Sequence, residues 1–263
     1  METKTIIELI SLKGKLAVIT GAAQGIGLQI ANRLAEMGAN VAIADLNEEK
    51  AKQTASELAK KYAVTAKGYA VDISNVRKLE ALVKAIGDDF GTIDILVNNA
   101  GVYPMMSLRD IKEKDFDFLM SINLKGVFML SQFVSEHMIT SKTPGKIINI
   151  ASTAALKTAG NSAHYVASKH AIAGLTKSQA VELGQYGIKA ITVAPTLVDT
   201  PGTQKLRENP DVDKGLKDFE SRLPLQRMAN PDDIAKTVAF AASGLSDYLT
   251  GILIPVDGGE TAL

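Results

Sequence analysis

Leu16-Ala-Val-Ile-Thr-Gly-Ala-Ala-Gln-Gly-Ile-Gly27 decides the architecture. An apolar, β-branched run leads into a glycine-rich turn, and residues 28–37 then repeat their apolar positions at helical spacing. A strand, a glycine turn and a helix in that order open a βα unit. Backbone N–H groups at such a helix start can approach a pyrophosphate. The spacing here is G-x-x-x-G-x-G, carried by Gly21, Gly25 and Gly27 with Gln24 and Ile26 between them. It differs from the G-x-G-x-x-G dinucleotide fingerprint, so its weight comes from the strand and helix around it.

The same alternation continues along the chain. Further strands are predicted at 40–44, 66–71, 93–97, 146–150, 188–193 and 252–256, and several are apolar on both faces, as strands covered on two sides must be. Helices are predicted at 25–37, 48–61, 75–90, 114–139, 161–184 and 231–243. Asn230-Pro-Asp-Asp233 marks the start of the last one, with a cap, a proline and acids in the first turn. This pattern predicts one α/β domain over 1–263: a single doubly wound parallel sheet with helices on both faces. The region at about 196–229 reads as irregular, rich in proline, glycine and charge, and is expected to be a substrate lid after the sixth strand. The alternative is a solvated insertion. Residues 1–15 read as a short N-terminal extension. Its apolar run, broken by Glu8 and Ser11, is too short and too charged for a signal peptide or a membrane span.

Composition narrows the function classes. Lys plus Arg and Asp plus Glu each number 29 in 263 residues, so no net field favours nucleic acid or an anionic membrane. Cysteine is absent, which excludes disulfides, thiolate metal sites and a thiol nucleophile, and points to the cytoplasm. His137, His164 and His170 lack ligand spacing, so no metal is expected. His164, beside Tyr165, can line the pocket, but a solvated helix start is the preferred reading.

Candidate chemistry lies at the strand ends. Tyr165 and Lys169 stand at i and i+4 of a predicted helix and share one face. A free phenol has a pKa of about 10, and a nearby cation favours the phenolate, so the pair can form a general acid/base for an alcohol or carbonyl. Ser152 follows the fifth strand and can donate to a substrate oxygen. Asn123, on an apolar face of the long helix, is either a buried structural donor or part of a relay. Asp45 closes the second strand at about the 20-residue spacing expected of an acid that binds the adenosine ribose. It also repels a 2′-phosphate, and with Leu46 next to it no basic group is expected nearby, so NAD is preferred to NADP. Asp45 can also cap the following helix. Asp72, before Ile73, can reach adenine or begin a helix. Asn98-Asn-Ala-Gly101 at the end of the fourth strand allows close approach of a ligand.

Taken together, TGxxxGxG, NNAG, the Asn, the Ser and YxxxK resemble the short-chain dehydrogenase/reductase family in its compact, NAD-dependent subgroup, from about Leu12 to Gly259. The resemblance implies a Rossmann fold. It implies Tyr165 as general acid/base, and Lys169 lowering its pKa while binding the nicotinamide ribose. Ser152 then polarises the substrate oxygen, and Asn123 positions a water that links Lys169 to solvent. Gly21, Gln24, Gly25, Ile26 and Gly27 bind pyrophosphate. Asp45 and Leu46 meet the adenosine ribose, and Asp72 and Ile73 flank adenine. Asn99 and Gly101 contact the cofactor, and Pro195, Val198 and Thr200 the nicotinamide end. One departure is Thr196 where the family usually has glycine after the proline. Either this loop avoids positive φ, or its path under the nicotinamide differs.

The expected reaction moves hydride between a secondary alcohol (a polyol, sugar or hydroxy compound) and NAD. Val102, Tyr103, Met105, Met106, Thr153, Ala154, Leu156, Thr196 and Leu197 are the expected pocket walls. An alternative is a 3-oxoacyl-thioester reductase-like enzyme, for which Arg109, Lys112 and Lys114 are the basic hint. A second alternative is a non-catalytic NAD-binding sensor. The resemblance further implies a homotetramer, with no nucleic-acid or membrane partner.

Overall fold

The computed structural model describes residues 3–158 and 160–263, so the first two residues of the N-terminal extension lie outside the description. Seven parallel strands form one sheet in the order β3-β2-β1-β4-β5-β6-β7. They are β1 Leu16–Thr20, β2 Asn40–Asp45, β3 Ala66–Ala70, β4 Ile95–Asn98, β5 Lys146–Ile150, β6 Lys189–Pro195 and β7 Ile252–Val256. The helices are α1 Ile6–Ile10, α2 Gly25–Glu36, α3 Glu48–Tyr62, α4 Val76–Phe90, α5 Glu113–Met120, α6 Val127–Thr140, α7 Ala163–Leu183, α8 Pro201–Leu206, α9 Pro210–Arg222 and α10 Pro231–Ala242. The chain crosses the sheet after β3, so β1 and β4 flank the point where strand order reverses. Open α/β sheets bind ligands at the carboxyl ends of strands at such a point.

Strand alternation builds two cores. Ala17 and Ile19 of β1 join Val41 and Ile43 of β2 in the layer packed by α2, α3 and α10. Leu16 and Val18 join Ala42 and Ala44 in the layer packed by α4 and α6. Both faces are therefore dry, which explains the nearly continuous apolar strands. Buried amides cross-link the centre. Asn98 Nδ2 donates to Asn149 Oδ1 at 2.8 Å, and Asn149 Nδ2 donates to Thr176 and Gln179, each at 2.9 Å. Satisfied polar ladders of this kind hold register without leaving an unpaired group.

Three local expectations change. Residues 201–206 and 210–222 are helices inside the stretch read as irregular. Pro201 and Pro210 stand in the first turns behind the caps Thr200 and Asn209, so these prolines begin helices rather than break them. Part of the N-terminal extension is helix α1, closed by reciprocal bonds between Thr5 and Glu8. The predicted helix 114–139 runs from Glu113 to Thr140, but Ser121–Gly126 is a π-helical turn between α5 and α6. Among the described residues this run is the helix long and apolar enough to cross a membrane. Leu119, Leu130, Val134 and Met138 are buried within it, whereas Phe116, Phe118 and Phe128 are exposed.

Candidate active site

Two adjoining cavities of about 510 and 400 Å³ open over the carboxyl ends of the strands. Ile26, Asn99, Gly101, Val102 and Thr200 line both, so they form one continuous cleft.

The smaller cavity is built around the glycine turn. Gly21 and Gly25 take φ of 62° and 59°, a region that favours glycine. A Cβ on Gly27 would lie 2.2 Å from the Gly21 carbonyl oxygen and 2.5 Å from Asn99 Nδ2, so no side chain fits between helix and turn. Asn99 stitches this turn to β4. Its Nδ2 donates to Thr20 O at 2.8 Å and Gly21 O at 3.1 Å, and its N–H donates to Thr20 Oγ1 at 3.0 Å. Gln24 stands at the N-cap of α2 but provides no side-chain cap, unlike Asn47, Asn75 and Asn230 at α3, α4 and α10. The first N–H groups of α2, beginning at Gly25 and Ile26 on the cavity wall, thus stand ready for an anionic ligand. This donor set fits the pyrophosphate of a nicotinamide dinucleotide.

Asp45 lies on the same wall. Its carboxylate accepts from the N–H groups of Ala23 and Asn47, each at 3.0 Å, while Asn47 caps α3. Asp45 therefore ties the glycine turn to the end of β2 and does not cap α3. Leu46 beside it is exposed. The expectation that no basic group is near requires correction. Lys50, one turn into α3, places its ammonium 3.3 Å from Gln24 Oε1. Helix winding, not adjacency to Asp45 in sequence, brings Lys50 over the turn. Asp72 and Ile73 line the far end. Asp72 Oδ1 accepts from the Ser74 N–H at 2.9 Å and hydroxyl at 2.7 Å, and these bonds hold its pKa below the ordinary carboxylate value. Asp72 thus shapes the turn into α4, whose cap is Asn75, while also facing the cavity.

The larger cavity holds Ser152, Tyr165 and Lys169 together. Ser152 follows β5 by two residues in extended backbone and accepts from the Ala154 N–H at 3.1 Å. Its hydroxyl acts on the Tyr165 phenol to lower its pKa. Burial acts more strongly and pushes the phenol up to about 12. Lys169 is buried, donates to Ile150 O at 3.0 Å and lies 5.5 Å from the Tyr165 ring centroid. Burial pushes its ammonium down to about 8. Burial is the dominant influence on both groups, and the ammonium is directed to a backbone carbonyl. Tyr103 packs against Tyr165 edge-on, with ring centroids 4.4 Å apart.

Asn123 sits in the π-helical turn, which aims its amide inward. Oδ1 accepts from the Val102 N–H and Nδ2 donates to Val102 O, both at 2.9 Å. The side chain therefore clamps the loop after β4. A Cβ on Gly101 would come within 3.2 Å of Asn123 Oδ1 and 3.8 Å of Lys169 Nζ, so the three are neighbours. Pro195, Val198 and Thr200 line the cleft after β6. Thr196 is absent from the residues with positive φ, so the loop accommodates threonine without strain.

Some expectations fall outside the cleft. Met105, Met106 and Leu156 do not line it, and Met105 and Leu156 are exposed. His164 is buried, not solvated, and its ring nitrogens have no hydrogen-bond partner among the described residues. Lys157, Thr203, Phe219 and Glu260 line the substrate end and were not anticipated. Among the described residues no cluster of His, Cys, Asp or Glu suits a metal ion.

The comparisons with known proteins agree with this geometry. Residues 21–261 match the family described as Enoyl-(Acyl carrier protein) reductase. The chain is 38% identical to galactitol 2-dehydrogenase of Agrobacterium fabrum, over 95% of this chain and 98% of the relative. It is 36% identical to a 3-oxoacyl-[acyl-carrier-protein] reductase of Thermotoga maritima, over 94% and 98%. A gluconate 5-dehydrogenase from Burkholderia cenocepacia, solved with NADP and tartrate, superposes with a TM-score of 0.91 at 35% identity, covering 98% of this chain and 100% of that one. Full-length similarity and a shared fold lead to one conclusion: the chain belongs to the short-chain dehydrogenase/reductase family and is an NAD(P)-dependent oxidoreductase acting on CH–OH groups.

Proposed function

We propose that the enzyme oxidises a secondary alcohol of a polyol, sugar or related hydroxy compound with NAD in preference to NADP. The observation that carries this reading is the meeting of Ser152, Tyr165 and Lys169 in a cavity continuous with the glycine turn. The bound nicotinamide supplies the hydride acceptor or donor. Ser152 holds the substrate oxygen, and Tyr165 takes the alcohol proton in oxidation and returns it in reduction. The Lys169 ammonium favours the phenolate once the cleft is filled and joins the nicotinamide ribose. Asn123 fixes the loop at Val102 and so positions Lys169 and a proton path beside it. Gly21, Gly25, Ile26 and Gly27 bind pyrophosphate, Asp45 the adenosine ribose, and Asp72 and Ile73 the adenine. Pro195, Val198 and Thr200 hold the nicotinamide end.

Asp45 supports NAD by charge, whereas Lys50 supplies a cation within reach of a 2′-phosphate and moderates that preference. The chain acts as one domain, with α8 and α9 as the substrate lid. Thr203 and Phe219 on the cavity wall support that role. Exposed Phe116, Phe118 and Phe128 support a homotetramer contact through α5 and α6.

The similarity to the acyl-carrier-protein reductase supports a second reading, reduction of a 3-oxoacyl thioester. Purified protein offered NAD or NADP with polyols, sugars and hydroxy acids, and NADPH with a 3-oxoacyl thioester, separates the two by nicotinamide absorbance. NAD-linked oxidation of polyols is expected. Turnover confined to the thioester with NADPH overturns the proposal, and tight NAD binding without turnover of any substrate favours a sensor.

A further inference from the structure

At the substrate end of the larger cavity, three residues from separate segments form a polar group that neither the glycine turn nor the Ser152–Tyr165–Lys169 set employs. Glu260 is 8% exposed. Its Oε2 accepts from Thr196 Oγ1 at 2.6 Å, and its Oε1 pairs with Lys157 Nζ at 2.8 Å. All three line the cavity that holds Ser152 and Tyr165.

The chain is shaped to deliver this carboxylate. Gly258 and Gly259 take φ of 60° and 89° after β7, and a Cβ on Gly259 would lie 2.7 Å from Pro224 Cγ. Asp257 holds the turn by accepting from the Gly259 N–H at 3.0 Å, the Thr261 N–H at 2.9 Å and the Thr261 hydroxyl at 2.6 Å. The backbone therefore turns inward so that Glu260 reaches the cavity beneath the lid. Burying a carboxylate is costly unless it is paired and hydrogen-bonded. Thr196 and Lys157 meet that requirement, and the threonine that replaces the usual glycine gains a role.

We propose that Lys157, Glu260 and Thr196 form a hydroxyl-recognition subsite that selects neutral polyhydroxylated substrates, an inference that rests on the alcohol oxidation proposed above. The ammonium and carboxylate cancel, so the subsite presents no net charge to draw an acid or an amine. It does present donors on Lys157 and acceptor lone pairs on Glu260. A hydroxyl group, donor and acceptor at once, matches both. An acyl chain placed here leaves the pair without polar partners, and an acid gains no net attraction.

The test compares galactitol, gluconate and cyclohexanol, with kcat and KM measured for wild type, Glu260→Gln, Lys157→Met and Thr196→Val. In wild type, galactitol is expected to have the highest kcat/KM. Lys157→Met is expected to lower kcat/KM for galactitol relative to cyclohexanol by roughly tenfold to a hundredfold, mostly through KM. Glu260→Gln leaves the Lys157 charge uncancelled and is expected to move the gluconate-to-galactitol ratio at least roughly tenfold toward gluconate. Melting temperature and NAD affinity of each variant report on folding, and Thr196→Val, which keeps the ion pair, covers a Glu260 variant that does not fold. Substrate ratios unchanged in all folded variants, with wild type active, show a structural tie only and overturn the subsite alone. Absence of turnover by wild type on every alcohol with either cofactor overturns the reading on which the subsite rests.

Discussion

The two ends of the cleft are built by different means. At the adenosine end, one short turn supplies the core: Gly21, Gly25 and Gly27 and the open start of α2, with Asp45 of β2 joined to it at Ala23. At the substrate end, the walls come from segments distant in sequence: Tyr103 after β4, Lys157 after β5, Thr196 after β6, Phe219 on α9 and Glu260 after β7. A turn defined by local backbone geometry serves any dinucleotide. A pocket assembled from loops can change its substrate without disturbing the sheet.

Substitutions at the two ends should therefore differ in kind. The largest effect on stability is expected for Gly27→Val. Its new atoms meet the Gly21 carbonyl and Asn99, and the cost in stability is about 1–3 kcal/mol or more. NAD binding, followed by calorimetry, should fall with it, and a variant that binds NAD normally shows that the turn tolerates bulk. Asp45→Ala should weaken NAD by roughly tenfold and bring the NAD and NADP affinities closer together. Lys50→Ala should weaken NADP alone, by less, because this lysine is exposed. Unchanged cofactor ratios in both variants place the discrimination elsewhere.

A pH prediction follows from burial at the catalytic end. Lys169 is held at about 8, below its ordinary value of 10.5. Between these values the unfolded chain binds a proton that the folded chain does not, so this group makes stability rise with pH from about 8 to 10.5. Tyr165 acts in the opposite sense between 10 and about 12, where the folded chain keeps a proton that the unfolded chain has lost. Denaturant melts of Lys169→Met should lack the rise between 8 and 10.5 relative to wild type, and a parallel profile contradicts the depressed lysine. The smallest effect is expected for Gly215→Ala in α9, where the added carbon meets nothing within 4 Å. It should stabilise the lid helix by about 0.5–1 kcal/mol. A lower kcat without a change in NAD affinity would then tie lid motion to turnover.

Legibility in the sequence followed the same division. β1 with its glycine turn, and Tyr165 with Lys169, lie within a few residues of each other, where strand and helix periodicity determine geometry. The helices at 201–206 and 210–222 carry in Thr200-Pro201 and Asn209-Pro210 the same cap-then-proline signal as Asn230-Pro231, but the glycines and charges around them masked it. Glu260 could not be paired with Lys157 from spacing, since the sheet and the inward turn at Gly258-Gly259 bring them together. The phenol's upward shift was equally hidden, because it depends on how much water the folded cavity removes.

Tyr165 handles the substrate proton in this proposal, while the glycine turn holds the cofactor independently. Tyr165→Phe, assayed with NAD and galactitol beside an NAD titration, tests it most directly. Turnover should fall by roughly a hundred- to ten-thousand-fold with NAD affinity nearly unchanged. Retained turnover contradicts it, as does a loss of activity explained by loss of NAD binding.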